Sequence, residues 1–166
     1  MKAVVNVLAV VAVPAVLAPA AALAEDSGHA VGRNVPEMKF VTFPGLPECG
    51  RNTVLSGDPA QGPSIILAKI SSGCTVPWHW HSPTEELMMV SGTARLETKD
   101  AKPLVLTAAG YAKLPPRHLH QFRCVSECLM YVHADGPFDI HYVDSQGNEI
   151  APEAALKRRQ KTASAR

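Results

Sequence analysis

G-C-T-V-P-W-H-W-H-S-P-T-E-E-L-M-M-V-S-G, running from Gly73 to Gly92, is the stretch on which the reading of this chain turns. His79 and His81 are two positions apart, so on a β-strand both imidazoles project from one face, with Trp78 and Trp80 on the other. Across a short Ser-Pro-Thr turn stands Glu85, and on the strand that follows Glu85, Leu87 and Met89 share a face opposite Glu86, Met88 and Val90. Two histidines and a carboxylate converging from adjacent strands form the ligand set of non-haem iron and related centres. A further histidine, His120, lies downstream between Leu114 and Phe122. The pattern predicts one metal ion held inside a β-barrel.

The rest of the chain agrees with a β fold. Its 166 residues allow one domain with a single good core plus ends. A net charge of +1 gives no reason to expect a nucleic-acid partner. Fourteen prolines and eleven glycines, among clusters of valine and threonine, favour short strands and turns over long helices. Strands are predicted over Ile65–Ile70, Thr75–His81, Glu85–Val90, Thr93–Thr98, Pro103–Leu106, Tyr111–Leu114, Leu119–Val125, Leu129–His133 and Phe138–Val143. Ser91-Gly92, Lys99-Asp100, Ala109-Gly110 and Asp135-Gly136-Pro137 punctuate them. Strands this short and evenly spaced predict a sandwich or barrel, all-β and antiparallel. Residues 25–38 lack periodicity and read as a loose arm. The end carries a short helix over Glu153–Gln160 and a basic tail, Lys157, Arg158, Arg159, Lys161 and Arg166.

The N-terminus reads as a secretory signal peptide over residues 1–24. Lys2 supplies the positive region, Ala3 to Leu17 is apolar apart from Asn6, and Ala20–Ala24 offers an A-x-A site before Glu25-Asp26. Pro14 and Pro19 interrupt a segment already short for a membrane span, which argues against a stable anchor. The expected location is secreted across the inner membrane, periplasmic in a bacterial cell. There Cys49, Cys74, Cys124 and Cys128 read as disulfides rather than metal thiolates. Four cysteines allow three connectivities. A local Cys124–Cys128 bridge is geometrically reasonable, which leaves Cys49 with Cys74, a closure worth on the order of 3 kcal/mol in the chain-entropy model.

The segment Gly73–Gly92 resembles the first motif of the cupin family: glycine, five residues, His79-x-His81, three residues, Glu85, six residues, Gly92. Gly110, Pro115, Arg117 and His120 resemble the second, with a first gap of four residues rather than five, Arg117 where a glycine usually stands, and Cys124 where an asparagine is frequent. The departure at Arg117 bears on the turn rather than on the histidine. The resemblance covers about residues 60–145. It implies a small single-domain cupin barrel (double-stranded β-helix, jelly-roll type) holding one divalent metal ion through His79, His81, Glu85 and His120. The domain scheme is then signal peptide 1–24, N-terminal arm 25–59, cupin barrel 60–145, and a C-terminal extension with the basic tail, 146–166.

Three imidazoles and one carboxylate would leave two positions open on a six-coordinate ion, and open positions distinguish a reactive site from a closed one. The ion is one of iron, manganese, zinc, nickel or copper. His118, His133 and His141 are the candidate acid–base groups. His118 shares the parity of His120, but Pro115-Pro116 before it favours a loop position facing water. Met88-Met89 invites a copper reading, although a methionine in a β-core usually fills gaps. Trp78 and Trp80, if outward, make an apolar patch for a homodimer interface or for cover by the N-terminal arm. Two functions follow: a metal-dependent enzyme (oxygenase, lyase or isomerase) acting on a small organic molecule, for which the cupin resemblance implies dioxygenase-like oxidation, or a non-catalytic periplasmic binder or sensor of a small ligand. Without a metal the histidines would form a costly buried polar cluster.

Overall fold

The computed structural model describes residues 30–163, with side chains through residue 157. The expected signal peptide over residues 1–24, and the tail side chains of Arg158, Arg159, Lys161 and Arg166, lie outside the described residues. Eleven strands appear in order: β1 (Gly50–Gly57), β2 (Ser64–Ile70), β3 (Thr75–Trp80), β4 (Glu85–Ser91), β5 (Ala94–Thr98), β6 (Leu104–Leu106), β7 (Tyr111–Leu114), β8 (His120–Cys124), β9 (Cys128–Ala134), β10 (His141–Val143) and β11 (Glu149–Ile150), followed by the helix α1 (Pro152–Ala163). They form a five-stranded sheet in the order β1-β2-β9-β4-β7 and a six-stranded sheet in the order β11-β10-β3-β8-β5-β6. Every strand pairing is antiparallel. The expected all-β, antiparallel fold of jelly-roll type is what the chain adopts.

The alternation read from the sequence is what packs the two sheets face to face. On β4, Glu85, Leu87 and Met89 are buried while Glu86 and Met88 are half-buried and Val90 is exposed. On β9, Cys128, Met130, Val132 and Ala134 point inward in the same way. Cys128, Met130 and Val132 make one continuous core with Ile66 and Ala68 of β2, Leu96 of β5 and Phe122 of β8. The β4–β5 turn needs its glycine: Gly92 sits at φ 89°, and a Cβ there would lie 2.1 Å from the Glu127 carbonyl oxygen. Cys49 is bonded to Cys74 and Cys124 to Cys128, with Cα separations of 5.8 and 6.0 Å, and no free cysteine is found among the described residues. None of the described helices is long and apolar enough to cross a membrane.

Three expectations need correction. The sequence reading begins the strands at residue 65 and assigns 25–59 to an arm, yet β1 pairs with β2 from Gly50↔Ile70 to Gly57↔Ser64. The inward positions of β1 are filled by Gly50 and Asn52, so no apolar alternation announces it. Trp80 does not contribute to an exposed patch: it is 7 % exposed, stacked on the His141 ring at 3.8 Å and covered by the Arg117 guanidinium at 3.9 Å. Trp78 is half-buried, with the Lys99 ammonium 4.4 Å from its ring. Finally, the strand expected over Phe138–Val143 is reduced to His141–Val143, because Phe138 turns toward the barrel interior and packs on His81.

Candidate metal centre

The sheet geometry brings four residues to one place. His79 on β3 pairs in register with His120 on β8, His81 follows immediately after β3, and Glu85 opens β4 in the facing sheet. Their exposures are 3 % for His79 and His81, 1 % for His120 and 6 % for Glu85. Each histidine offers one ring nitrogen within 4.8 Å of the other two, the spacing of a group that could hold a metal ion. Glu85 Oε1 lies 3.6 Å from His81 Nε2 and Glu85 Oε2 lies 3.3 Å from His120 Nε2.

What these atoms can do follows from what lies behind them. The Nδ1–H of His79 donates to the Pro77 carbonyl at 2.6 Å, that of His120 to the His118 carbonyl at 2.8 Å, and that of His81 to the Asp139 carbonyl. A carbonyl only accepts, so each Nδ1 carries the proton, and the Nε2 on the other side of each ring is the atom left to bind a metal ion. Carbonyl-anchored histidines of this kind are how proteins orient metal ligands. His81 Nε2 and Glu85 Oε2 are buried with no hydrogen-bond partner among the described residues. Acceptors facing acceptors in a buried site repel each other unless a cation lies between them. This donor set therefore fits a divalent metal ion.

The ionisation of the group points the same way. Burial, helped by His120 and His81, pushes His79 well below its ordinary range, which keeps its lone pair free at neutral pH. Burial raises Glu85, and positive charge beside it, which His81 and His120 carry only when protonated and a bound metal ion would supply when they are neutral, holds the carboxyl below the usual carboxylate range. Neutral His79 beside an ionised Glu85 gives the site the negative charge that a dication needs.

The four residues line a cavity of about 60 Å³. Its walls are otherwise almost entirely apolar, with Phe43, Ile66, Leu87, Phe122, Val132 and Phe138 among them, and no lysine or arginine among the described residues reaches it. Phe138 stacks on the His81 ring with centroids 4.6 Å apart. Arg117 holds the same histidine from outside: it adopts φ 61°, and its backbone N–H donates to the His81 carbonyl at 2.8 Å. This is the left-handed conformation that a glycine takes without cost, at the position where the second motif usually has one.

The candidate acid–base groups lie elsewhere. His118 is placed 3.4 Å from the Asp100 carboxylate and contributes only its carbonyl to the centre, His133 pairs with Glu86 at 3.1 Å, and His141 sits on Trp80 between Asp139 at 3.1 Å and Glu149 at 3.3 Å. None of the three lines the cavity. Neither Met88 nor Met89 reaches it either; Met89 fills the core, and the one thioether in the wall belongs to Met130. Asn52, Phe43 and Phe138 line the cavity without having been singled out in the sequence: the first two lie before the first predicted strand, and Phe138 lies at the start of one, where a phenylalanine reads as ordinary core.

No family model matches the chain, and no curated protein matches it either. Solved structures do. An RmlC-like cupin from Ralstonia eutropha JMP134 superposes with a TM-score of 0.59 at 18 % identity, covering 84 % of this chain and 90 % of that one. The chain has the cupin fold. A second cupin-fold match is a protein provisionally named acetylacetone dioxygenase from Methylibium petroleiphilum PM1, with a TM-score of 0.57 at 17 % identity over 74 % of this chain and 87 % of that one. A third is KdgF from Halomonas sp., with a TM-score of 0.53 at 13 % identity over 63 % of this chain and 92 % of that one. At these identities the likeness carries the cupin fold and leaves the chemistry to the residues of the site.

Proposed function

We propose that the chain is an exported metal-dependent enzyme acting on a small organic molecule, with the ion held by His79, His81, Glu85 and His120, and that its reaction is an O₂-dependent oxidation of dioxygenase type. One observation carries this reading: three buried imidazoles whose Nδ1 protons are fixed on backbone carbonyls bring one ring nitrogen each within 4.8 Å of one another, with Nε2 of His81 and His120 facing the buried Glu85 carboxylate. A redox-active ion bound there supplies Lewis acidity and a path for electrons between O₂ and the substrate. The chain's own contribution is orientation and exclusion of water. The backbone carbonyls fix the Nδ1 protons and aim the rings, Glu85 supplies the negative charge, and the apolar wall with Phe138 over His81 keeps solvent away from the reacting end. The provisional name of the Methylibium protein and the two disulfides support the oxygenase and export parts of the reading respectively.

The non-catalytic reading, a periplasmic binder or sensor, has its own observation: His118, His133 and His141 do not line the cavity, so among the described residues no acid–base group lines it apart from the centre's own members. Metal content decides between them. Residues 25–166 purified from the exported fraction should carry one equivalent of iron or another redox metal, lost in His79→Ala/His81→Ala, and should consume O₂ in a screen of small oxo compounds. One equivalent of zinc with no turnover would favour the binder. No metal in either protein would sink both readings.

A further inference from the structure

We infer that Asn52 is a ligand-orienting residue of this cavity, and that the molecule bound there is a small, largely apolar carbonyl compound whose oxygen accepts a hydrogen bond from the Asn52 side-chain amide. Asn52 is 4 % exposed and lines the same cavity as the histidines, reaching it from β1 in the opposite sheet. Its Nδ2 is buried with no hydrogen-bond partner among the described residues. The fold does not require this side chain: the Asn52 backbone N–H donates to the Val41 carbonyl at 2.7 Å and its carbonyl accepts from the Val41 N–H at 2.8 Å. Nothing in a turn or cap uses the amide. An unmade hydrogen bond in a buried site is destabilising, and an apolar residue at this inward position of β1 would pack against Ala68 and its neighbours without that cost. A buried donor kept in an apolar cavity, beside a cluster of acceptors, is explained by a partner that arrives from outside.

The chemistry of that partner follows from the wall. Ile66, Ala68, Ile70, Leu87, Phe122 and Val132 line the same cavity and offer only dispersion contacts, so most of the ligand is hydrocarbon. With no lysine or arginine in the lining, a charged group away from the metal centre has no counter-ion, which favours a neutral carbonyl at the Asn52 end. A cavity of about 60 Å³ admits roughly four to six non-hydrogen atoms, taking about 10–15 Å³ per water-sized sphere. The inference rests on the proposed reading of this cavity as the substrate site, and narrows that substrate to short ketones and related oxo compounds.

The test uses butan-2-one and its isostere 2-methylbut-1-ene, in which a methylene replaces the carbonyl oxygen, titrated by NMR into zinc-loaded and metal-free protein. The expected result is that Asn52→Leu lowers the ketone-to-alkene affinity ratio about 3- to 10-fold, the worth of one neutral hydrogen bond, while zinc still binds at one equivalent and thermal stability is kept or raised. Asn52→Ala should lower the ratio likewise, so the outcome does not hang on one variant folding. In the unmodified protein the Asn52 side-chain amide protons should shift with the ketone and stay in place with the alkene. An unchanged ratio in both variants, or amide protons that ignore the ketone, would overturn the assignment even if zinc binds. A lowered ratio in protein that takes up no zinc would uphold Asn52 while defeating the metal-centre reading.

Discussion

Replacing Glu85 by glutamine should weaken metal binding at least about 100-fold while leaving the metal-free protein as stable as before or more so. The argument starts from the atoms that face each other. Glu85 Oε1 and Oε2 lie 3.6 and 3.3 Å from the Nε2 atoms of His81 and His120, and the carbonyls behind the rings make those nitrogens acceptors. A carboxylate has nothing to donate to them, whereas a glutamine amide can donate to the orphaned Nε2 of His81. In the metal-free protein the substitution therefore removes a buried charge and supplies a hydrogen bond. With metal the balance reverses. Loss of outer hydrogen-bonding partners alone costs 10–100-fold in affinity, and loss of an anionic ligand removes both a bond and a charge. At a free metal concentration a hundredfold over the unmodified protein's Kd, a 100-fold weakening would remove about 2.3 of the about 2.7 kcal/mol of linked stabilisation, lowering the holo-protein Tm by about 10 °C. Glu86→Gln is the control, because Glu86 faces the other side of β4, where it accepts from Tyr111 Oη at 2.9 Å and pairs with His133 at 3.1 Å. Thermal melts with and without added zinc, together with a competition titration of metal affinity, measure both effects. Equal losses of affinity for the two variants would show that the inward register of β4 is wrong. A Glu85→Gln protein destabilised as much without metal as with it would refute the acceptor-against-acceptor argument.

Three further outcomes are expected. Burial holds His79 well below its ordinary value, so the unfolded chain takes up that proton first; the metal-free protein should keep the full contribution above about pH 6.5 and lose it as pH falls, and urea midpoints from pH 8 to 5 should decline less for His79→Gln. A decline unchanged by the substitution would remove His79 as its cause. Cys49→Ser/Cys74→Ser should lose about 3 kcal/mol of unfolding free energy in denaturant titrations, and thiol labelling of the native, unmodified protein should find no reactive cysteine. Labelling of all four would overturn the disulfide reading. Arg117→Gly should be close to neutral in thermal melts, since it relieves the left-handed backbone at φ 61° while giving up the guanidinium over Trp80, whereas Arg117→Ala keeps the strain, loses the stacking and should cost about 1 kcal/mol. A glycine variant as damaged as the alanine one would show that the backbone conformation is not a cost.

How much of this was legible in the sequence depended on one property of each residue, whether its type named its own chemistry. His79, His81 and Glu85 could be placed on inward faces because the parity of a strand, applied to residues that bind metals, leaves few alternatives. Burial on β4 follows that parity, with Glu85 inside and Glu86 half-buried outside. The same rule was silent at β1, where the inward positions belong to Gly50 and Asn52 and an asparagine reads equally well as a turn residue. Trp80 illustrates the other limit. Its parity was correct, since it faces away from the cavity, but its cover comes from Arg117 and His141, which no local pattern could bring to it. The spare histidines likewise found carboxylates, Asp100, Glu86, Asp139 and Glu149, whose positions depend on pairings across the sheets and loops. Local reasoning fails most where a polar residue turns inward, and such places tend to be functional, because only a ligand gives them a partner. Asn52 and His81 are then two cases of one feature: each breaks the apolar interior of its sheet and leaves a buried nitrogen without a hydrogen-bond partner, the first as a donor and the second as an acceptor. A histidine announces that role by its type, and an asparagine shows it only when the strand that carries it is seen to face the cavity.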